Sequence, residues 1–294
     1  MTEFGNLVLA GLTSGAIYAV FAVCLAFWFR TAGMLNLAIG DFAMLGALGV
    51  DLLARAYGWN LALSIAAVLL GVAAFSYAYD FVVLRIAADW RRAQEGIVAI
   101  FFFTFALSFF LEGVAQQVFG TTVHAAPALW PGNALTLAGL HVQRAGVLVI
   151  AFAVLVGAVL ALFLRYTLVG KAMAACGENA LGARIVGIDN RRYRRGIFVV
   201  TALLAGIFGI LGSPITGFVY NSGAGLGLSG VVAAAFAGFT RPGRAVVAGL
   251  SIGLLESFLG GYVSTAYGET LLYGVLALVM LFRPQLMGLP EVAH

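Results

Sequence analysis

Charge is what this 294-residue sequence has least of: 10% of its residues are charged, while 63% are hydrophobic. Soluble globular chains run at roughly 25% charged and 45–50% apolar. A water-soluble fold is therefore excluded, because it would leave a large apolar surface facing water. A helical bilayer crossing takes about 20 apolar residues, so this length provides for about eight to ten crossings with short connections. Little remains for a separate soluble domain, and residues 1–294 read as one transmembrane domain.

Other absences narrow the function. No Lys or Arg precedes Arg30 and the only early charge is Glu3, so the first apolar segment lacks the positive region of a cleavable signal and is expected to stay in place. The two cysteines, Cys24 in an apolar span and Cys176 in a basic connection, form no disulfide framework and are expected to be reduced. His124, His141 and His294 stand at no metal-ligand spacing, so no metal site is expected. A phosphate-binding Gly-x-x-x-x-Gly-Lys-[Ser/Thr] is missing: Gly170-Lys171 supplies the lysine, but Arg165 stands where the first Gly belongs and Ala172 where the hydroxyl belongs. His-Glu-x-x-His does not occur, and the one Gly-x-Ser-x-Gly, Gly249-Leu-Ser-Ile-Gly253, lies inside an apolar run rather than on the strand-to-helix turn that gives this motif its nucleophile. The chain is thus expected to be no enzyme, with no ATP or other cofactor of its own.

What is present is a succession of apolar runs near Asn6–Trp28, Met34–Ala54, Leu61–Tyr79, Gly96–Ala115, Ala145–Leu164, Gly196–Tyr220, Gly225–Phe239, Ala245–Ser264 and Gly268–Phe282. The fold class that follows is an all-α polytopic membrane protein of about eight to nine transmembrane helices with broken or re-entrant elements. Gly225–Phe239 is short for a span and reads equally as a half-helix. Seven of the sixteen Lys and Arg fall in the connection Arg165–Arg195 (Arg165, Lys171, Arg184, Arg191, Arg192, Arg194 and Arg195), which is expected in the cytoplasm. Arg85, Arg91 and Arg92 fall on the same side, and Gln116–Gln143, with no Lys or Arg, falls outside. Continuing the count puts the C-terminus inside and the N-terminus outside. The outer stretch, with Pro127, Trp130, Pro131 and Gly132, reads as a loop on the membrane face. Among 38 glycines, Gly11 with Gly15 and Gly249 with Gly253 stand four apart, the spacing that lets helix backbones approach closely in lipid.

Polar groups inside apolar runs mark candidate sites. Gly33-Met-Leu-Asn-Leu-Ala-Ile-Gly-Asp41 sets Asn36 and Asp41 at or within a span. An ionisable group at membrane depth is costly, so a solute or ion path is one reading, and capping of a helix start is the other. Asn221-Ser-Gly-Ala-Gly-Leu-Gly227 brings Asn221 and Ser222 together with three alternate glycines: a broken-helix ligand site or a plain outer turn. Glu256 lies mid-segment and needs a partner or an aqueous path, whereas Glu112, near an outer end, reads as an interface residue. The substrate-pathway candidates are therefore Asn36, Asp41, Asn221, Ser222 and Glu256.

The connection Gly170-Lys-Ala-Met-Ala-Ala-Cys-Gly-Glu-Asn-Ala-Leu-Gly-Ala-Arg-Ile-Val-Gly-Ile188 is too short to cross. It reads as one compact amphipathic helix closed by Gly187, either a docking knob for another protein or an interfacial helix on the bilayer.

Three stretches carry a family resemblance. Gly33–Gly46 resembles the segment after the first span in the LivH-type permeases of branched-chain amino acid importers. Gly170–Ile188 is similar to their cytoplasmic coupling segment, and Gly238–Glu256 followed by Leu281-Phe-Arg-Pro284 is similar to their C-terminal run. The resemblance runs in the same order along nearly the whole chain. It implies a permease subunit of an ABC importer in a bacterial inner membrane, paired with a second permease subunit, with ABC ATPase subunits that use ATP inside and a solute-binding protein outside. Gly170, Lys171, Ala175, Glu178, Asn179, Ala180, Arg184 and Gly187 would then form the ATPase-coupling segment. Family members commonly carry His where this chain has Ile39, which leaves the solute open among branched-chain amino acids, urea, amides and small aromatic acids. From another class, the competing reading is a self-sufficient carrier driven by protons through Asp41 and Glu256. An intramembrane enzyme is third, for want of a metal motif or of a nucleophile motif in its proper strand-to-helix setting.

Overall fold

The first helix meets no breaker for 31 residues, and α1 (Thr2–Ala32) accordingly runs about 47 Å at 1.5 Å per residue, longer than a bilayer core. In the computed structural model, which describes residues 2–84, 93–132, 135–137, 140–239, 242–262 and Gly274, this helix is the axis of the bundle. From Ala16 to Trp28 it is buried on every side, as an apolar helix without an amphipathic stripe must be.

Around it lie α2 (Ile39–Asp51, continued by a π-helical turn to Ala56), α3 (Leu61–Tyr79, continued to Leu84) and α4 (Ala93–Phe119). A two-stranded antiparallel hairpin, β1 (Leu135–Leu137) and β2 (Leu140–Val142), pairs Thr136 with His141. Then come α5 (Arg144–Tyr166), α6 (Leu168–Glu178), α7 (Ala180–Ile185), α8 (Asn190–Thr216), α9 (Ser222–Ala237) and α10 (Pro242–Tyr262). Six of these, α1, α3, α4, α5, α8 and α10, contain a stretch long and apolar enough to cross a membrane. The expected segment Gly268–Phe282 lies outside the described residues.

The two paired glycine motifs meet each other. A Cβ on Gly253 of α10 would collide with the backbone of Gly15, and one on Gly15 or Gly11 would sit 2.8–2.9 Å from the Cα of Leu250 or Leu254. Close backbone approach of this kind drives helix pairing where lipid is as apolar as the side chains. On the other side of α1, Trp28 and Phe42 both stack edge-on against Phe198 of α8 at 5.4 and 5.7 Å, joining α1, α2 and α8. Outward faces remain apolar: Leu63 and Leu70 on α3, Phe102, Phe109 and Phe110 on α4, and Leu155 and Leu162 on α5 are exposed.

Several elements differ from the sequence reading. The Met34–Ala54 run becomes a helix only at Ile39, because α1 stops at Gly33 (φ +73°) and a six-residue link precedes the next turn. The basic connection is not one helix closed by Gly187 but two, broken at Asn179, whose side chain leaves α6 and accepts the Gly182 N–H at 2.8 Å to start α7. Gly187 (φ +85°) does end the second of them. Arg191 to Arg195 are not loop residues. Asp189 caps α8 by accepting from Arg191 and Arg192 N–H, which draws the arginines into the first turns. There Arg194 and Arg195 each place Nε at 3.0–3.1 Å from a different oxygen of Asp80, a wholly buried carboxylate at the end of α3.

The stretch after α4 is tied to α2 and to the end of α8. His124 and Phe218 exchange backbone hydrogen bonds of 2.8 and 2.7 Å, His124 Nδ1 lies 2.9 Å from Asp51 Oδ2, and Ala126 N–H donates to Ser213 Oγ at 2.8 Å.

Candidate functional site

The link between α1 and α2 turns on Asn36. Its Oδ1 accepts the Ala38 N–H at 3.0 Å, a local turn, and its buried Nδ2 has no partner. This is not a helix cap: the N-cap position of α2 is Ala38, whose methyl side chain accepts nothing from the first turn. Asp41, in the first turn, does not cap either. It is 0% exposed, and neither carboxyl oxygen has a hydrogen-bond partner.

What Asp41 faces is the start of α9. A Cβ on Gly223 would collide with Asp41 Oδ1, and one on Gly40 would collide with the Gly223 carbonyl. The Gly223 and Gly227 positions therefore serve the close packing of α9 on α2 rather than a break in α9, which is continuous from Ser222. Asn221 stands at its N-cap position, exposed and making no capping bond, and Ser222 Oγ accepts the Val219 N–H at 2.9 Å. The free N–H groups of this helix start carry partial positive charge, which suits a carboxyl group nearby.

A second acid arrives from α4. Glu112 reaches the Ala224 N–H at the start of α9 and is the charged neighbour of Asp41, with the Ser108 hydroxyl beside the same carboxyl. Thr104, Ser108 and Glu112 recur every four residues, so they form one polar stripe on α4, and Thr104 and Ser108 are buried. The structure thus brings Asp41 to the start of α9, where Asn221 and Ser222 stand, and adds Ser108 and Glu112, which the sequence reading passed over or assigned to an outer interface; Asn36 stays in the link before α2. The four-residue repeat of hydroxyl, hydroxyl and carboxyl was the signal available. Glu256 is placed elsewhere, on α10, which packs on α1, α9 and α5. It stands one residue before Ser257, whose hydroxyl donates to the Leu7 carbonyl of α1 at 2.7 Å. Chemically, the cluster offers two carboxyl groups and backbone N–H donors within one buried junction. No group of three His, Cys, Asp or Glu is arranged for a metal among the described residues.

The family model described as "Branched-chain amino acid transport system / permease component" matches residues 7–282. The chain belongs to this family. Among curated relatives, the high-affinity branched-chain amino acid transport system permease protein LivH of Escherichia coli K12 is 28% identical over 96% of this chain and 94% of its own length. The corresponding permease protein BraD of Pseudomonas aeruginosa is 29% identical over 96% and 95%. A solved chain, from PsaBC of Streptococcus pneumoniae in complex with Fab, aligns over 95% of both chains at 15% identity with a TM-score of 0.49. The protein is therefore a multi-pass membrane transport subunit of the branched-chain permease family. Ile39 is wholly buried in the core.

The second candidate region of this permease is the α6–α7 pair. Gly170 is buried where a Cβ would press on the Leu164 Cα at 2.7 Å, and Gly177 packs against the Arg30 carbonyl, which fixes α6 to the ends of α5 and α1. Cys176 Sγ donates to Asn190 Oδ1 at 3.1 Å, tying the pair to α8. Ala175 is half-buried; Lys171, Glu178, Asn179, Arg184 and Gly187 are exposed, and Ala180 begins α7. Beside them, Leu181, Ile185 and Val186 are 69–79% exposed, an apolar tip on a rigidly anchored base.

Proposed function

We propose that this chain is the translocation subunit of an ABC importer for branched-chain or related amino acids in a bacterial inner membrane. The supporting observation is the family match over residues 7–282, together with relatives described as branched-chain amino acid permeases over nearly their full length. In this reading the solute passes the junction of α2, α4 and α9. Asp41 and Glu112 receive its ammonium group. Closure of separate ATPase subunits on ATP pushes the α6–α7 tip, and the anchoring of that tip to α1, α5 and α8 carries the movement into the bundle. The arginine-rich end is cytoplasmic, as Lys and Arg bias requires. A solute-binding protein delivers cargo outside, and a second permease subunit completes the path.

Co-purification of the tagged chain from its native membrane in mild detergent tests this. The expected result is recovery of a P-loop ATPase that is lost from Glu178→Lys protein of unchanged abundance. Recovery of the chain alone, still moving solute without ATP, would instead favour a self-sufficient carrier.

A further inference from the structure

At the end of the bundle where α6 docks, the last turns of α1 and α5 and the first turn of α10 border an open cavity of about 580 Å³ lined by Arg30, Ala161, Leu164, Arg165, Pro242, Gly243 and Arg244. Three of its seven lining residues are arginines and none is acidic. Ala161, Leu164 and Pro242 make the rest of the lining largely apolar. Leu162 and Val247 stand three residues from Arg165 and Arg244 on the same helices and are exposed, so apolar surface suited to acyl chains begins one helical turn from the arginines.

We infer that this cavity is a binding site for the phosphate headgroup of an anionic phospholipid. Guanidinium groups bind phosphate oxygens through paired N–H donors, and basic pockets between membrane helices take anionic headgroups. An apolar lining one helical turn from the exposed Leu162 and Val247 accommodates the start of a hydrocarbon chain, which a free phosphate ion does not need. An acidic segment of a protein partner would satisfy the arginines but would gain nothing from α5 and α10 faces that lead along the helices. The site also touches the coupling region: Gly177 of α6 packs on the Arg30 carbonyl, and Gly170 on Leu164. A bound headgroup would thus brace the base on which α6 rests.

The test uses the full-length chain with its associated subunits, in phosphatidylcholine nanodiscs titrated with phosphatidylglycerol and read by native mass spectrometry of retained lipid. Phosphatidylglycerol should be retained over phosphatidylcholine. Combined Arg30→Gln, Arg165→Gln and Arg244→Gln should weaken that retention about tenfold or more, whereas Arg191→Gln with Arg192→Gln at the same end should leave it nearly unchanged. Inorganic phosphate at millimolar concentration should not displace the lipid. Equal losses in both variants would reduce the effect to general surface charge and overturn the inference. So would equal retention of the two lipids, or displacement by phosphate. If the triple variant sheds an ATPase subunit while lipid retention is unchanged, the cavity is a protein contact and the inference falls.

Discussion

Asp41 is wholly buried without a hydrogen-bond partner, a state that costs several kcal/mol unless a proton, a ligand or a rearrangement resolves it. Its neighbours are informative because they come from different parts of the chain: the start of α9 from nearly two hundred residues downstream, and Ser108 and Glu112 from α4. If the junction handles an ammonium group, Asp41→Asn and Glu112→Gln should each lower the initial uptake rate about tenfold or more, the scale of one lost charge-assisted hydrogen bond, at normal membrane abundance. Glu256→Gln, on the α1–α10 seam, should stay close to the parent rate. Equal loss in all three would mean that the buried acids are structural. Asp80 belongs to a different class. Removing it leaves Arg194 and Arg195 without their shared counter-charge, so Asp80→Ala should destabilise the detergent-solubilised protein by about 3–5 kcal/mol. An unchanged melting temperature would show that the ion pairs contribute nothing net.

Among elements, the α1–α10 seam was readable from spacing, because glycines four apart share one helix face whatever surrounds them. A branched side chain there has nowhere to go: Gly253→Val would drive two methyl groups into the Gly15 backbone. The expected consequence is a loss of about 2 kcal/mol or more, seen as a lower melting temperature, while Gly260→Val, at a position facing open space, should be tolerated. Indistinguishable variants would refute the seam. The place of Glu112 was not readable in the same way. Its proximity to a helix end in sequence suggested an interface, yet the face that α4 turns inward is set by packing against α2 and α9. Likewise the break at Asn179 depends on one side chain choosing a cap over a continued helix, a competition that composition does not decide. The ion pairs of Asp80 join residues more than a hundred positions apart, and hydropathy carries no trace of them.

For the whole molecule, the all-α membrane class was legible because apolar runs of about 20 residues suit spanning helices, whereas the strands of a membrane barrel are about ten residues of alternating pattern. Of the short helices, α9 was legible as a run short for a span and α2 only as part of a full-length one, Met34–Ala54; that they pack together through Gly40, Gly223 and Gly227, around a buried carboxylate, is a tertiary fact. The proposed division of labour follows from that architecture, with a buried polar junction on one axis and an anchored, exposed tip at the arginine-rich end. The most direct measurement is leucine uptake into proteoliposomes holding the chain with its co-purified subunits. Uptake should require ATP hydrolysis, persist when an uncoupler abolishes the proton gradient, and fall with Asp41→Asn while ATPase subunits stay bound. Uptake that proceeds without ATP and collapses with the uncoupler would contradict the importer reading.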